Sequence, residues 1–170
     1  MSSVMCGRRR VLPLLCALLL SLALCACGGT TVKADISAYG DTEIVISGLL
    51  EEDFTVTPYE LAAMECTSLT VTGTTQKAGT VSVVGPTLET FLAAYGKSVS
   101  EFKRIRFYGS DDYYKGFLPE ALEKYEFVLG VANGKNPLGE TEQPVHLVVS
   151  GGESNSWVRM VVRIEFEYTT

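Results

Sequence analysis

The feature that most constrains this chain is a series of short β-branched runs bounded by turn residues. "EIVISG", "CTSLTVTG", "TVSVVG" and "KRIRFYG" each close on a glycine, and "EFVLGVA", "VHLVVS" and "WVRMVVRIEFEY" follow. Runs of this length, rich in valine, isoleucine and threonine, are typical of β-strands. The first two runs of valine and threonine are separated by "TTQKAG", which predicts a β-hairpin. We therefore predict a mostly β domain.

Two or three short helices are predicted between the strands. "TPYELAAM" begins with Thr57 as N-cap, and Glu60 completes a capping box. "PTLETFLAAYG" begins after Thr87 and stops at Gly96, and one further helical turn is expected after Pro119. No repeat, low-complexity tract or second domain is evident. The pattern predicts an α+β fold in one domain.

The first 26 residues are interpreted as an export signal. "MSSVMCGRRR" is basic, and "VLPLLCALLLSLALCA" is an apolar run too short and wrongly flanked for a typical membrane span. The run ends in "LCACGGTT", which resembles the lipobox of bacterial lipoproteins. That resemblance implies a lipid-modified Cys27 as the first mature residue. The alternative is an ordinary cleaved signal.

This interpretation sets the expected domain boundaries and location. Residues 1–26 form the signal, residues 27–42 a small polar tether, and residues 43–170 the domain. Acyl chains on Cys27 would hold the protein to the extracytoplasmic face of the cell membrane. Loss of the three signal arginines changes the net charge from −6 to −9. Because phosphate contacts need clustered lysine and arginine, we expect no nucleic-acid binding.

Cysteine usage excludes two kinds of site. Of five cysteines, three lie in the signal and one is Cys27, so Cys66 is the single cysteine of the domain. Neither an intramolecular disulfide nor a cysteine-rich metal site can form. A lone cysteine is more often a small buried apolar residue than a reactive thiol, and Cys66 is interpreted in that way.

A family resemblance is carried by several segments taken in order. They are "ISGLLEEDFTVTPYELAAM", "VVGPTLETFLAAYG", "IRFYGSDDYYKGFLPEAL" and "FVLGVANGKNPLGETEQPVHLVVSGGESNSWVRMVVRIEF". Together they resemble the molybdopterin-binding domain of sulfite-oxidase-like oxidoreductases, over roughly residues 43–166. The resemblance implies the fold of that domain. It also implies a molybdenum atom held by a pterin dithiolene and one protein cysteine.

Three comparisons with the family pattern bear on that cofactor. The family's cysteine falls on Thr72–Thr74 here, and a threonine hydroxyl is a poor ligand for a soft metal. Its two cationic cofactor contacts fall on Ser156 and Arg159, so one charge is kept. Its early Arg-Asn-His segment has no counterpart in "GGTTVKADISAYGD". We therefore expect no bound cofactor and no metal, with molybdopterin kept as the alternative.

The loop "GGESNSW" lines the pterin pocket in that family. With the turn "YGSDDYY" it predicts a small cleft here, formed by Gly152, Ser154, Asn155, Ser156, Trp157, Arg159, Asp112 and Tyr113. The loop could equally be an ordinary hairpin turn. Strand alternation places Trp157, Arg159 and Val161 on one face, so Arg159 is also explained as a solvated strand residue.

The remaining polar residues are interpreted as structural. His146 alternates with Val145 and Leu147, which indicates a histidine on one sheet face with its hydrogen bonds satisfied. Asp111 and Asp112 lack the spaced oxygen ligands of a calcium loop. They are better explained by a turn with side-chain-to-backbone bonds. No catalytic residue is assigned.

Three functional hypotheses follow. In the first, a lipid-anchored domain without a metal centre binds a small molecule or a protein partner. In the second, an active molybdopterin oxidoreductase passes electrons to a membrane partner, which requires Cys66 or a hydroxyl of residues 72–75 against "GGESNSW". In the third, the protein is purely structural and has no concave pocket.

The lipidation hypothesis predicts the effect of one substitution. Cys27→Ala should move the protein from the membrane fraction to the soluble fraction, because the acyl attachment point is lost. Cys25→Ala is the matched control and should leave the protein in the membrane fraction. Cell fractionation with immunoblotting measures both. Membrane retention of Cys27→Ala would contradict lipidation at this residue.

Overall fold

The computed structural model describes residues 29–74 and 79–169. The expected signal and Cys27 lie outside the described residues. Among the helices that are described, none is long and apolar enough to cross a membrane.

The described residues form a mostly β fold with three short helices, so the predicted α+β class is confirmed. The helices are α1 (Pro58–Ala62), α2 (Leu88–Ala94) and α3 (Pro119–Lys124). The strands are β1 (Ile44–Ser47), β2 (Phe54–Val56), β3 (Cys66–Thr72), β4 (Thr80–Pro86), β5 (Phe102–Gly109), β6 (Tyr114–Phe117), β7 (Glu126–Gly130), β8 (Ala132–Asn133), β9 (Asn136–Pro137), β10 (His146–Ser150) and β11 (Val161–Tyr168).

The described strands form three sheets around the main core. The largest has the strand order β2-β1-β11-β5-β6, in which β1 and β11 are parallel and the other pairs antiparallel. The order β3-β4-β8-β9 forms a second sheet, and β7 pairs with β10. The predicted hairpin is therefore β3–β4, with Cys66 opposite Pro86 at one end and Thr72 opposite Thr80 at the other.

The helix starts follow the predicted capping residues. The Thr57 N–H donates to Glu60 Oε2 at 2.7 Å, and the Glu60 N–H donates to Thr57 Oγ1 at 3.3 Å, which is a complete capping box. Thr87 caps α2 by accepting the Thr90 N–H at 3.0 Å. Gly96 follows the helix with a φ of 68°, a conformation that favours glycine.

The core lies between the sheets and α2. Its fully buried side chains include Phe91 of α2, Phe107 of β5 and Phe127 of β7. Strand β5 shows how the sequence directs burial, since Ile105 is buried with Phe107 while the intervening Arg106 faces outward. Alternation of this kind is expected for a strand that covers a core on one face.

The described part of the expected tether, residues 29–42, packs against the domain. Ile36 and Tyr39 are buried with Leu138 in a second, small cluster. The Tyr39 hydroxyl donates to the Val131 carbonyl at 2.8 Å and accepts from the Leu138 N–H at 2.9 Å. The chain is joined to β3 where the Thr30 N–H donates to the Cys66 carbonyl at 2.9 Å. The sequence analysis did not predict these contacts, because most residues around Ile36 and Tyr39 are small and polar.

The C-terminal strand begins later than its sequence pattern predicts. Val158 forms a bridge to Leu147, Met160 has a φ of 54°, and β11 begins at Val161. The pairing with β5 also shifts register between Val161 and Arg163. The predicted alternation from Trp157 is therefore broken, and the shared face proposed for Arg159 and Val161 is wrong.

Strands β4 and β7 approach each other closely at two glycines. A Cβ atom on Gly85 would overlap the Leu129 carbonyl oxygen, and one on Gly130 would lie 2.6 Å from the Val83 Cβ. The Val131 N–H donates to the Val84 carbonyl at 2.9 Å beside them. Only glycine allows the backbones to meet in this way.

This contact predicts a large destabilisation by a small change. Gly85→Ala should lower the free energy of unfolding by about 3 kcal/mol, because the added methyl group forces the two strands apart. Gly139→Ala, whose Cβ would have an ordinary 3.4 Å contact with the Glu142 side chain, is the control and should change it by less than about 0.5 kcal/mol. Denaturant unfolding measures both, and equal effects would contradict the close-approach argument.

Candidate functional site

Three segments meet near the Thr72–Thr80 end of the β3–β4 hairpin. The Tyr113 hydroxyl, from the turn before β6, donates to the Asn155 carbonyl at 2.6 Å. The Ser154 N–H donates to Thr74 Oγ1 at 3.3 Å. The structure thus brings together Tyr113, Ser154 and Asn155, three of the residues named for the cleft, with Thr74, one of the residues named in the oxidoreductase hypothesis.

The turn that carries Tyr113 is built by its two aspartates. Asp111 Oδ1 accepts the Tyr113 N–H at 3.2 Å, which is the predicted side-chain-to-backbone bond. Asp112 has a φ of 65°, in the left-handed region that aspartate tolerates in turns. The Gly109 N–H donates to the Tyr113 carbonyl at 2.8 Å and closes the turn. Asp112 therefore contributes to the site through its backbone conformation, which forms the turn before Tyr113.

The loop of residues 151–157 is stabilised mainly by bonds within itself. Asn155 Nδ2 donates to Glu153 Oε2 at 3.0 Å, and the Ser156 N–H donates to the Glu153 carbonyl at 2.8 Å. Trp157 is 9% exposed, and its Nε1 donates to the Val149 carbonyl at 3.2 Å. Trp157 therefore fixes the end of the loop to β10. Gly152, at the start of the loop, lies close to the Val149 side chain of the same strand.

A cleft of about 330 Å³ lies next to this loop at Ser156. Its apolar surface comes from Phe117, Leu118, Ala121 and Tyr125, and its polar groups include Lys115 and Ser156. Of the eight residues predicted to form a pocket, Ser156 alone lines this cleft. The sequence analysis missed the contribution of β6 and α3, although the apolar spacing of "GFLPEALEKY" is visible.

Cys66 lies far from this site. It occupies the first position of β3, roughly 20 Å along the strand from Thr72 at about 3.3 Å per residue. Its thiol contacts the Leu61 carbonyl at 3.7 Å, and burial raises its pKa above the ordinary value. Cys66 is thus a buried thiol, as predicted, and cannot serve as a thiolate ligand beside Ser154.

The residues at the loop do not fit a molybdenum centre. Thr74 Oγ1 accepts the Ser154 N–H, and soft metals select thiolates over hydroxyls. Among residues 29–74 and 79–169, no group of three or more His, Cys, Asp and Glu side chains could hold a metal ion. Arg159, which the sequence analysis aligned with a cationic position of the family pattern, is exposed.

A second polar cluster lies behind the loop. His146 is 1% exposed, its Nδ1 lies 3.4 Å from Glu142 Oε1, and its ring meets Trp157 edge-on at 6.4 Å. Neither ring nitrogen has a well-aligned hydrogen-bond partner among the described residues. His146 is therefore a buried residue of the sheet, and Glu142 is a partner that the sequence analysis missed.

The surroundings of Glu142 change the pKa of its carboxyl group. The His146 ring beside it lowers the pKa of Glu142 below its ordinary value, and the Gly139 N–H and the Arg159 charge lower it further. Partial burial acts in the opposite direction. The Gly139 N–H donates to Glu142 Oε2 at 3.2 Å, so the charged carboxylate is the form that the fold stabilises.

With this geometry established, the protein can be placed by comparison with known structures. It has an α+β fold, and its likeness to a solved structure supports a sulfite-oxidase-like fold. That structure is the sulfane dehydrogenase SoxCD from Paracoccus pantotrophus, at a TM-score of 0.60 and 24% sequence identity. The match covers 75% of this chain and 38% of that chain, so this chain spans well under half of it.

Comparisons at the level of sequence add no further relative. A scan against protein-family models and a search of curated proteins both found no match. At 24% identity, the likeness to the sulfane dehydrogenase shows a shared fold alone.

The Glu142 environment predicts a pH-dependent contribution to stability. Because the folded state lowers the pKa of Glu142 from 4.5, its contribution is complete above that pH and is lost as the pH falls through the folded value. Glu142→Gln should therefore lower the free energy of unfolding by about 1 kcal/mol at neutral pH and by progressively less in acid. Denaturant unfolding across this pH range tests it. Glu140→Gln, at an exposed neighbour, is the control, and a difference that is constant with pH would contradict the prediction.

Proposed function

We propose that this protein is a lipid-anchored, extracytoplasmic binding module whose sulfite-oxidase-like domain works without a molybdenum centre. Its ligand is a small molecule or a segment of a partner protein. The proposal rests on one observation, which is that the side chain of the β3–β4 hairpin in contact with the loop of residues 151–157 is a threonine and not a cysteine. Thr74 presents a hydroxyl to Ser154, while Cys66 lies at the opposite end of β3.

The charge of the site supports the same proposal. A pterin pyrophosphate is dianionic and needs cations around it. In the family pattern one contact falls on Ser156, which is neutral, and the other on Arg159, whose charge already acts on Glu142. The chain as a whole is acidic, with a net charge of −6 before removal of its signal. A cofactor of this kind would bind weakly here.

The cleft supports a role in binding. It has an aromatic surface in Phe117 and Tyr125 and polar groups in Lys115, Glu120 and Ser156. A concave apolar site with a few directed polar groups is the common form of a ligand site. A purely structural protein, the third hypothesis, would not require it.

An active molybdopterin oxidoreductase is the second candidate. One observation favours it, since the Thr74 hydroxyl does contact the loop that lines the cofactor pocket in the family. For this candidate to hold, the metal would have to accept an oxygen ligand in place of the family's thiolate. Metal content separates the two candidates directly.

Elemental analysis tests the proposal. Protein purified from a host that makes molybdopterin should contain only substoichiometric molybdenum, because no thiolate is available at the loop. A sulfite-oxidase-like enzyme expressed in the same host is the positive control for cofactor supply. One molybdenum atom per chain, alongside a loaded control, would overturn the metal-free function and favour the oxidoreductase.

A further inference from the structure

Strand β6 forms an open edge of the five-stranded sheet. In an antiparallel pair, alternate residues turn their backbone N–H and C=O groups toward the partner strand. The Gly109 N–H donates to the Tyr113 carbonyl, so by alternation Lys115 and Phe117 face β5 in the same way. Tyr114 and Gly116 then direct their backbone groups outward, and those groups bond to no other described residue.

The open edge continues into the apolar cleft. Lys115 and Phe117 lie on the inner side of β6, and both line the cleft together with Ala121 of α3. Leu118, at the end of the strand, is 50% exposed. A strand added beside β6 would place every second side chain into this cleft, because side chains alternate between the two faces.

Strands β5 and β11, next to this edge, carry more cations than carboxylates in one group of ion pairs. Four cations lie in an ion-pair ladder with two carboxylates, Glu165 and Glu167; the cations are Lys103, Arg104, Arg106 and Arg163. The ladder thus has two positive charges in excess on an otherwise acidic chain. The side chains of Arg104 and Arg106 lie over Gly116 of β6, within 4 Å of where its Cβ atom would be.

From these observations we propose that β6 binds an extended peptide segment of a partner protein by strand addition. The peptide alternates apolar residues, which enter the cleft, with acidic residues, which face Arg104 and Arg106. The backbone bonds of Tyr114 and Gly116 provide affinity, and the cleft and the arginines provide specificity. This inference rests on the proposed binding function and names its partner class.

A second copy of this chain fits the edge less well. Pairing of β6 with another β6 would bring Lys115 close to its own counterpart and add no carboxylates to the arginine-rich face. An inward-facing lysine on an edge strand is a known means of preventing self-association. Glu120, on the opposite side of the cleft, would repel an acidic residue placed inside it.

Selection from a display library of random decapeptides on the purified protein tests the proposal. We expect the enriched peptides to alternate apolar and acidic residues. Ala121→Trp fills the cleft and should weaken their binding by about tenfold or more, as loss of a central anchor does. Ala93→Trp, at an exposed alanine of α2, is the matched control and should bind as the wild type does.

Two further measurements locate the peptide. Arg104→Glu should weaken the acidic peptides, whereas Lys135→Glu, at an exposed lysine in the turn between β8 and β9, should not. Amide hydrogen exchange at Tyr114 and Gly116 should slow when an enriched peptide is bound. Absence of alternating peptides, or equal binding to Ala121→Trp and the wild type, would overturn the proposal. Molybdenum content decides the proposed function separately, since neither result depends on the other.

Discussion

The pairing of β1 with β11 is the contact on which the rest of the fold depends. These are the first and last strands of the described chain, and they lie parallel at the centre of the largest sheet, with Val45 opposite Arg163 and Ser47 opposite Glu165. Strand β11 also pairs with β5, and β5 pairs with β6. Almost the whole domain lies between β1 and β11 in sequence, so the sheet is complete only when the last strand has paired. Pairing of these two strands therefore has the entropy cost of closing a long loop.

The candidate site follows from that closure. When β11 is in place, the loop of residues 151–157 is held between the β3–β4 hairpin and the turn before β6. Three small contacts, from Thr74, Tyr113 and Trp157, then define its position. The site is thus assembled from distant segments on a rigid scaffold, which is how binding loops are usually positioned.

Local patterns in the sequence predicted the elements well, because their causes are local. The caps at Thr57 and Thr87 and the alternation in β5 depend on residues within a few positions of each other. The site itself was predicted in part. Tyr113 and Asn155 were named together because of a family resemblance, whereas the cleft between β6 and α3 depends on how two elements pack, which periodicity does not encode.

The errors also have physical causes. Burial of Ile36 and Tyr39 depends on Leu138, about a hundred residues away, so no window around residues 27–42 could show it. The break at Met160 comes from a left-handed residue inside an apparently continuous strand. The contact of His146 with Glu142 was missed, since only the fold shows the histidine buried against Trp157 with Glu142 beside it.

The bond between Thr30 and Cys66 joins the start of the described chain to one end of β3, which has a consequence for the proposed membrane anchor. If the chain is tethered at Cys27, only two residues separate the anchor from Thr30, and the Cys66 end of β3 must then face the lipid. Strand β3 acts as a spacer of roughly 20 Å at 3.3 Å per residue. The hairpin end beside Thr74 and Ser154 would therefore point away from the bilayer, toward whatever approaches the cell from outside.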